Sequence, residues 1–303
     1  MFSLIGHKKI IEDLKFLIKK NALPHGFIFA GPGMVGKRTV ALALANFLEH
    51  GTFMPPAEGV ILQDMKVIDL AFMKFLDPDT AGNSIGIDAA REIKQFLYQR
   101  PNVSDRRTLI IDDAAVMTNE AQNAILKITE EPPSSSLIIL ISSDAEGLLP
   151  TILSRLQKIA FGIVSSSEIA EWLEANAVPT AKAAAAAKKA FGKPGLAWRL
   201  MFDKTLEKNI EYAEKFLKTT PANRREVVKK IIEPDDFNMR IFLDAVVLIL
   251  AWNGLPSKIL RQNSGGQTKD KIALWHKTLA LYGRIANFSL NPRLQLENLL
   301  MEN

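Results

Sequence analysis

The stretch GPGMVGKRT, residues 31–39, sets Gly31, Gly36 and Lys37 at the spacing G-x-x-x-x-G-K-[ST] of a phosphate-binding loop. In such a loop glycines let backbone N–H groups close around phosphate, the lysine reaches the outer phosphates and the final hydroxyl holds magnesium. Gly31, Gly33, Gly36 and Lys37 are therefore expected to hold an anion. Arg38 stands where the hydroxyl belongs. Thr39 follows one place later, rotated by about 100° if the segment is helical, and is a poor substitute. The pattern points to anion binding and argues against magnesium-dependent chemistry. A plain tight turn is the alternative, disfavoured by Lys37 and by the apolar run before the loop.

The second half of a nucleotide-hydrolysing site is a strand ending in carboxylates, and LIIDDA (109–114) has that form. Asp112 can hold magnesium through water. The residue that orients attacking water is commonly glutamate. Here it is Asp113, one methylene shorter, and catalytic contacts tolerate displacements of about 1 Å badly. Both aspartates are placed in the nucleotide site, degenerate for catalysis, with a solvated strand-end turn as the alternative.

The elements that would position these groups alternate. Ile10, Ile11, Leu14, Leu17 and Ile18 are spaced for one helical face, and NALPHG breaks that helix. FIFA (27–30) reads as a strand, TVALALANFLEH (39–50) as a helix, and Gly51 to about Asn83 carries no clear pattern. IDAAREIKQFLYQ (87–99) predicts a helix, TLIIDDA (108–114) a buried strand, NEAQNAILKITEE (119–131) a helix stopped by Pro132 and Pro133, and LIILIS (137–142) another buried strand. Strands alternating with helices imply an α/β domain with a parallel, helix-covered sheet. From about Ser165 the sequence becomes helix-rich. Three domains are expected: 1–164 with the loop, a small helical one at 165–202, and an all-helical one at 203–303, with QNSGGQT (262–268) as an exposed loop.

Composition narrows the classes. Of 303 residues, 48% are hydrophobic and 23% charged, which excludes a disordered chain. Cysteine is absent, so there is no disulfide framework, thiolate zinc site or cysteine nucleophile, and no resident metal is expected. A reducing cytoplasm is the expected compartment. The start mixes charge into its apolar residues, unlike a signal peptide, and AVVLILAW (245–252) is far short of the roughly 20 residues that cross a bilayer. No membrane association is expected. The charge of +5 is compatible with nucleic-acid contact. SDRRT (104–108), Lys94 and Arg100 are the candidate basic contacts, with solvated surface as the commoner role of such residues.

GPGMVGKRT, LIIDDAAVMTNEAQNAILKITEEPP (109–133) and LLPTILSRLQ (148–157) together resemble the clamp-loader branch of the AAA+ proteins, and within it the delta-prime type of bacterial DNA polymerase III subunit. The opening (4–32) and closing NPRLQLENLL (291–300) resemble the two ends of that type, so the likeness covers essentially the whole chain. T-x-E-A-x-N-A-x-L-K-x-x-E-E-P-P is its most specific part. The resemblance implies an AAA+ P-loop module, a helical lid and a helical collar that assembles a five-subunit ring.

LSRLQ (153–157) aligns with the Ser-Arg-Cys motif of clamp loaders, with Ser154 and Arg155 kept and Leu156 replacing the cysteine. In the family that arginine reaches the ATP site of the neighbouring subunit, and an arginine supplied in trans is worth about 10³- to 10⁵-fold in turnover. Without the family, an arginine in such a place is most often part of a surface ion pair. Where active subunits carry a sensor arginine, this chain has Gly195, with Arg199 a turn further on. Ser142 and Ser143 end their strand where the family carries a polar sensor. The family's four-cysteine insertion is missing, so Phe53, Val60 and Ile61 are expected to pack that region instead.

The resemblance therefore implies a clamp-loader subunit that requires no cofactor, with room for residual ATP or ADP but not magnesium. Arg155 acts on a neighbour. Its partners would be the gamma/tau ATPase subunits, the delta subunit, the sliding clamp, and primed DNA within the complex. An active gamma/tau-type ATPase is the alternative, opposed jointly by Arg38, Asp113 and Gly195. A DNA-binding module acting alone is the third reading.

Overall fold

The computed structural model describes residues 4–76, 84–143, 145–234, 237–254, 266–285 and 291–299. The chain divides into two compact units, Met1–Ala197 and Trp198–Asn303.

The first unit is built on five parallel strands: β1 (Gly26–Ala30), β2 (Met65–Ile68), β3 (Arg107–Ile111), β4 (Ser136–Ser142) and β5 (Gln157–Ala160), in the order β2-β3-β4-β1-β5. Alternation of side chains sends Phe27 and Phe29 to one face and Ile28 and Ala30 to the other. The first face packs with Ile139 and Ile141 under α1 (Lys8–Lys19) and α2 (Lys37–His50). The second packs with Leu109, Ile111 and Leu140 under α4 (Ile87–Leu97) and α5 (Asn119–Glu130). Because both faces are covered, the central strands read as continuous apolar runs. Thr118 caps α5, accepting from the Ala121 N–H.

Two elements lie in the stretch that carried no pattern: β2, and α3 (Leu70–Leu76) directly after it. Residues 77–83 of that stretch lie outside the described residues. β5 is likewise absent from the sequence reading, because as an edge strand it is largely exposed and has no apolar signature. It follows α6 (Pro150–Leu153). Two helices, α7 (Ser166–Ala175) and α8 (Thr180–Lys189), pack together, and α9 (Pro194–Phe202) begins beside the phosphate loop. Ser165 caps α7 by accepting from the Glu168 N–H, and its hydroxyl donates to the Glu168 carboxylate.

The cysteine-free region packs differently from expectation. Phe53 is buried, but Val60 and Ile61 are 47% and 87% exposed, and Leu62 is the buried neighbour. Hydrogen bonds do the rest: Asn46 donates to the carbonyls of Thr52 and Met54, and the Glu49 carboxylate accepts from the N–H groups of Gln63 and Asp64. These bonds tie α2 to the loop that follows it.

The second unit is helical: α10 (Lys204–Leu217), α11 (Arg224–Ile232), α12 (Met239–Trp252), α13 (Gly266–Ile285) and α14 (Pro292–Leu299). Its core gathers Phe216, Val228, Phe242, Val246, Leu281 and Leu296. Of the exposed loop expected at 262–268, residues 262–265 lie outside the described residues, and 266–268 belong to the start of α13.

Candidate functional site

The loop between β1 and α2 is held by contacts that explain its glycines. Gly31 has φ 145°, and a Cβ there would lie 2.1 Å from the Phe161 carbonyl oxygen, so no side chain fits. Gly36 caps α2 at φ 107°. Around Gly33 there is only open space, consistent with a position facing a ligand rather than the core. His7 braces the loop from outside: its Nε2 lies 2.9 Å from the Val35 carbonyl oxygen, and its ring meets Phe161 edge-on. This residue carried no signal in the sequence, since nothing local marks a histidine that acts across 28 positions.

A cleft of 340 Å³ opens beside the loop, lined by Gly33, Met34, Gly36, Lys37, Arg38, Thr39, Asp112, Asp113, Ile141, Ser143 and Gly195. Of the residues singled out for a nucleotide, all but Gly31 face it. It lies at the carboxyl ends of β3 and β4, where open parallel sheets carry their ligands. Lys37 is buried at the first turn of α2 and donates to the carbonyls of Gly31 and Pro32 at 2.5 and 2.6 Å. Burial pushes its pKa down, and the charges of Asp112 and Asp113 oppose that only in part.

Arg38 does more than displace a hydroxyl. Its Nη1 donates to Asp112 Oδ2 at 2.7 Å and to Asp69 Oδ2 at 3.1 Å. Burial lowers its pKa, but the hydrogen bond and charge of Asp112, followed by those of Asp69, outweigh that and raise it. Asp69 was missed by sequence reasoning. It follows β2, itself unseen, and its Oδ1 accepts from the Phe72 N–H at the start of α3. One of the two Asp112 carboxylate oxygens is thereby engaged by the Arg38 guanidinium.

Gly195, at the place of a sensor arginine, packs its backbone on the loop. Its N–H donates to the Met34 carbonyl at 2.9 Å, and Met34 is itself left-handed at φ 63°. Arg199 is paired with Asp203 at 2.9 Å.

Ser154 and Arg155 lie at the end of α6 and do not line the cleft. Arg155 is on the surface, where Nη1 donates to the Thr151 carbonyl at 2.7 Å and to Ser154 Oγ at 3.2 Å, and Nη2 to Glu130 Oε1 at 2.6 Å. It is thus in an ion pair, with the carboxylate supplied by the last residue of α5.

The SDRRT segment turns inward, which counts against the reading as a DNA contact. Arg106 donates to the carbonyls of Leu23, Pro24 and Ser136, and Arg107, which is buried, to those of Arg100 and Gln63. Arg107 also stands 3.6 Å from Asp64, whose carboxylate accepts the N–H groups of Asn102, Val103 and Ser104. Lys94 and Arg100 are exposed.

The sheet order, the loop after β1 and the carboxylates after β3 define a P-loop α/β module. A family model described as DNA polymerase III, delta subunit matches residues 6–164, and the chain belongs to that family. The chain is 30% identical over 161 residues to the delta′ subunit of DNA polymerase III from Pseudomonas aeruginosa, covering 51% of this chain and 48% of that protein. To the gamma/tau subunit from Mycobacterium bovis it is 29% identical over 165 residues, 53% of this chain and 28% of the relative. It therefore spans less than half the length of these relatives. The crystal structure of a DNA polymerase III gamma subunit-related protein from Thermotoga maritima is similar in fold, with a TM-score of 0.62 at 24% identity over 96% of this chain and 97% of that one. Among the described residues no helix is long and apolar enough to cross a membrane.

Proposed function

We propose that this chain is a delta-prime-type subunit of the DNA polymerase III clamp loader, helping to load the sliding clamp onto primed DNA. Its own site binds phosphate without hydrolysing ATP, and Arg155 acts in trans on the ATP site of a neighbouring gamma/tau subunit. The ring also includes a delta subunit. The observation that carries this reading is the separation of roles: Arg155 is on the surface away from the cleft, while Arg38 engages Asp112 inside it. A guanidinium at the surface can be presented to a partner's phosphate, where it stabilises charge developing in the transition state. The Glu130 pair does not oppose this, because exposed ion pairs are worth only about 1 kcal/mol or less and exchange readily.

The test is a clamp loader reconstituted with Arg155→Ala in this chain. DNA-stimulated ATP turnover is expected to fall by about 10³-fold or more at one neighbouring site. Unchanged turnover with normal assembly would remove the trans role. The gamma/tau-type reading has one observation in its favour, the open cleft with Lys37 in place. Magnesium-dependent hydrolysis by the purified chain would make it the better one.

A further inference from the structure

The cleft contains its own cation. Loops of the G-x-x-x-x-G-K-[ST] pattern close their site with magnesium on the hydroxyl, balanced by the carboxylate of the strand opposite. In this chain the same carboxylate is met by Arg38. The bridge joins three elements: Arg38 in the first turn of α2, Asp69 after β2 and Asp112 after β3. Asp69 is fixed toward it, since its other oxygen accepts from the Phe72 N–H at 2.8 Å.

We propose that the Arg38 guanidinium is the resident counter-charge of Asp69 and Asp112 and excludes a divalent cation from this cleft, so that a nucleoside di- or triphosphate binds here without magnesium. With a hydroxyl at position 38, three carboxylates, Asp69, Asp112 and Asp113, would share the site with the single ammonium of Lys37. Such a site draws in a divalent ion. With Arg38 the excess negative charge is reduced and the near oxygen of Asp112 is taken. A metal would have to break two charge-assisted hydrogen bonds and then sit beside the displaced guanidinium. The positive groups facing a phosphate would then be Lys37, Arg38 and the N–H groups of the loop, with Arg38 offsetting the carboxylate of Asp112 in the same cleft.

The inference rests on the part of the proposed function that puts phosphate in the cleft, and makes no use of Arg155. The full chain and its Arg38→Thr variant are titrated calorimetrically with ATP, in EDTA and in excess magnesium. Metal and nucleotide that share a site must couple, and the coupling is read as the ratio of the two affinities. Wild type is expected to show the same affinity in both buffers, and Arg38→Thr to bind at least about tenfold more tightly with magnesium. Wild type that binds no ATP, beside a variant that binds only with magnesium, overturns the inference, because nucleotide then does not bind here in place of a metal.

A wild-type affinity raised about tenfold by magnesium overturns it while leaving the phosphate cleft standing. A folded variant that binds ATP but is indifferent to magnesium also overturns it. Absence of ATP binding by both proteins in both buffers overturns the inference and the phosphate cleft together, and leaves the trans role of Arg155 to its own assay. Should Arg38→Thr lose its native circular dichroism, Arg38→Gln, which also frees both carboxylates, is read in the same way.

Discussion

The N–H of Gly195 donates to the carbonyl of Met34 at 2.9 Å, which ties the first turn of α9 to the phosphate loop. A Cβ at 195 would stand 3.1 Å from Met34 Cβ and 3.2 Å from its oxygen. Backbone lies on one side of that contact, so the loop must give way. Gly195→Ala is expected to cost about 1–3 kcal/mol, seen as a lower urea midpoint for the unit that contains the sheet. An unchanged midpoint would mean that the start of α9 is not seated on the loop.

Asp64 yields a prediction with a pH signature. Burial pushes its pKa up, but the N–H groups of Ser104, Asn102 and Val103 outweigh that and hold it below the ordinary aspartate range. A carboxylate whose folded pKa lies below its unfolded one contributes stability fully above the unfolded value. That contribution is lost as pH falls through the folded one. Asp64→Asn, which also strands buried Arg107, is expected to cost about 3 kcal/mol at pH 7. In urea titrations the difference between wild type and variant should then shrink progressively as the pH is taken below about 3.9. A difference constant down to pH 2 or so would show that the carboxylate charge contributes nothing.

Glu130 gives the contrasting case. Its pair with Arg155 is shorter, at 2.6 Å against 3.6 Å for Asp64 and Arg107, but both side chains are partly exposed. Glu130→Gln is expected to change the stability of the isolated chain by less than about 1 kcal/mol, within the scatter of surface pairs. A larger loss in thermal or urea unfolding would mark the pair as a structural bolt. That would count against a freely presented Arg155.

How far these sites could be read in advance depended on whether their causes were local. The loop, β1, α2, α5 and β4 were legible because glycine spacing, apolar runs and the double proline after α5 act within a few residues. β2 and α3 were not. The strand is four residues long with Lys66 in it, and that lysine reaches Glu92 from α4. With β2 hidden, Asp69 could not be placed, and so neither could the bridge to Arg38. Arg106 and Arg107 misled for a related reason: a basic run reads as surface until the carbonyls that consume it, such as those of Leu23 and Gln63, are seen in space. Ile61 was assigned to packing on hydrophobicity alone, whereas Leu62 next to it turns inward.

The place of β1 between β4 and β5 also bears on how the chain is made. Gly26–Ala30 leaves the ribosome well before both strands that flank it, which lie beyond residue 135. Until they arrive, FIFA has no ladder to join, and its two phenylalanines have only α1 and the nascent α2 to cover them. The loop after β1 cannot take its final form either, because the carbonyl that presses on Gly31 belongs to Phe161. Synthesis must therefore run past Phe161 before the phosphate loop exists as a shape, which makes the apolar segment before it the natural client of whatever shields nascent chains.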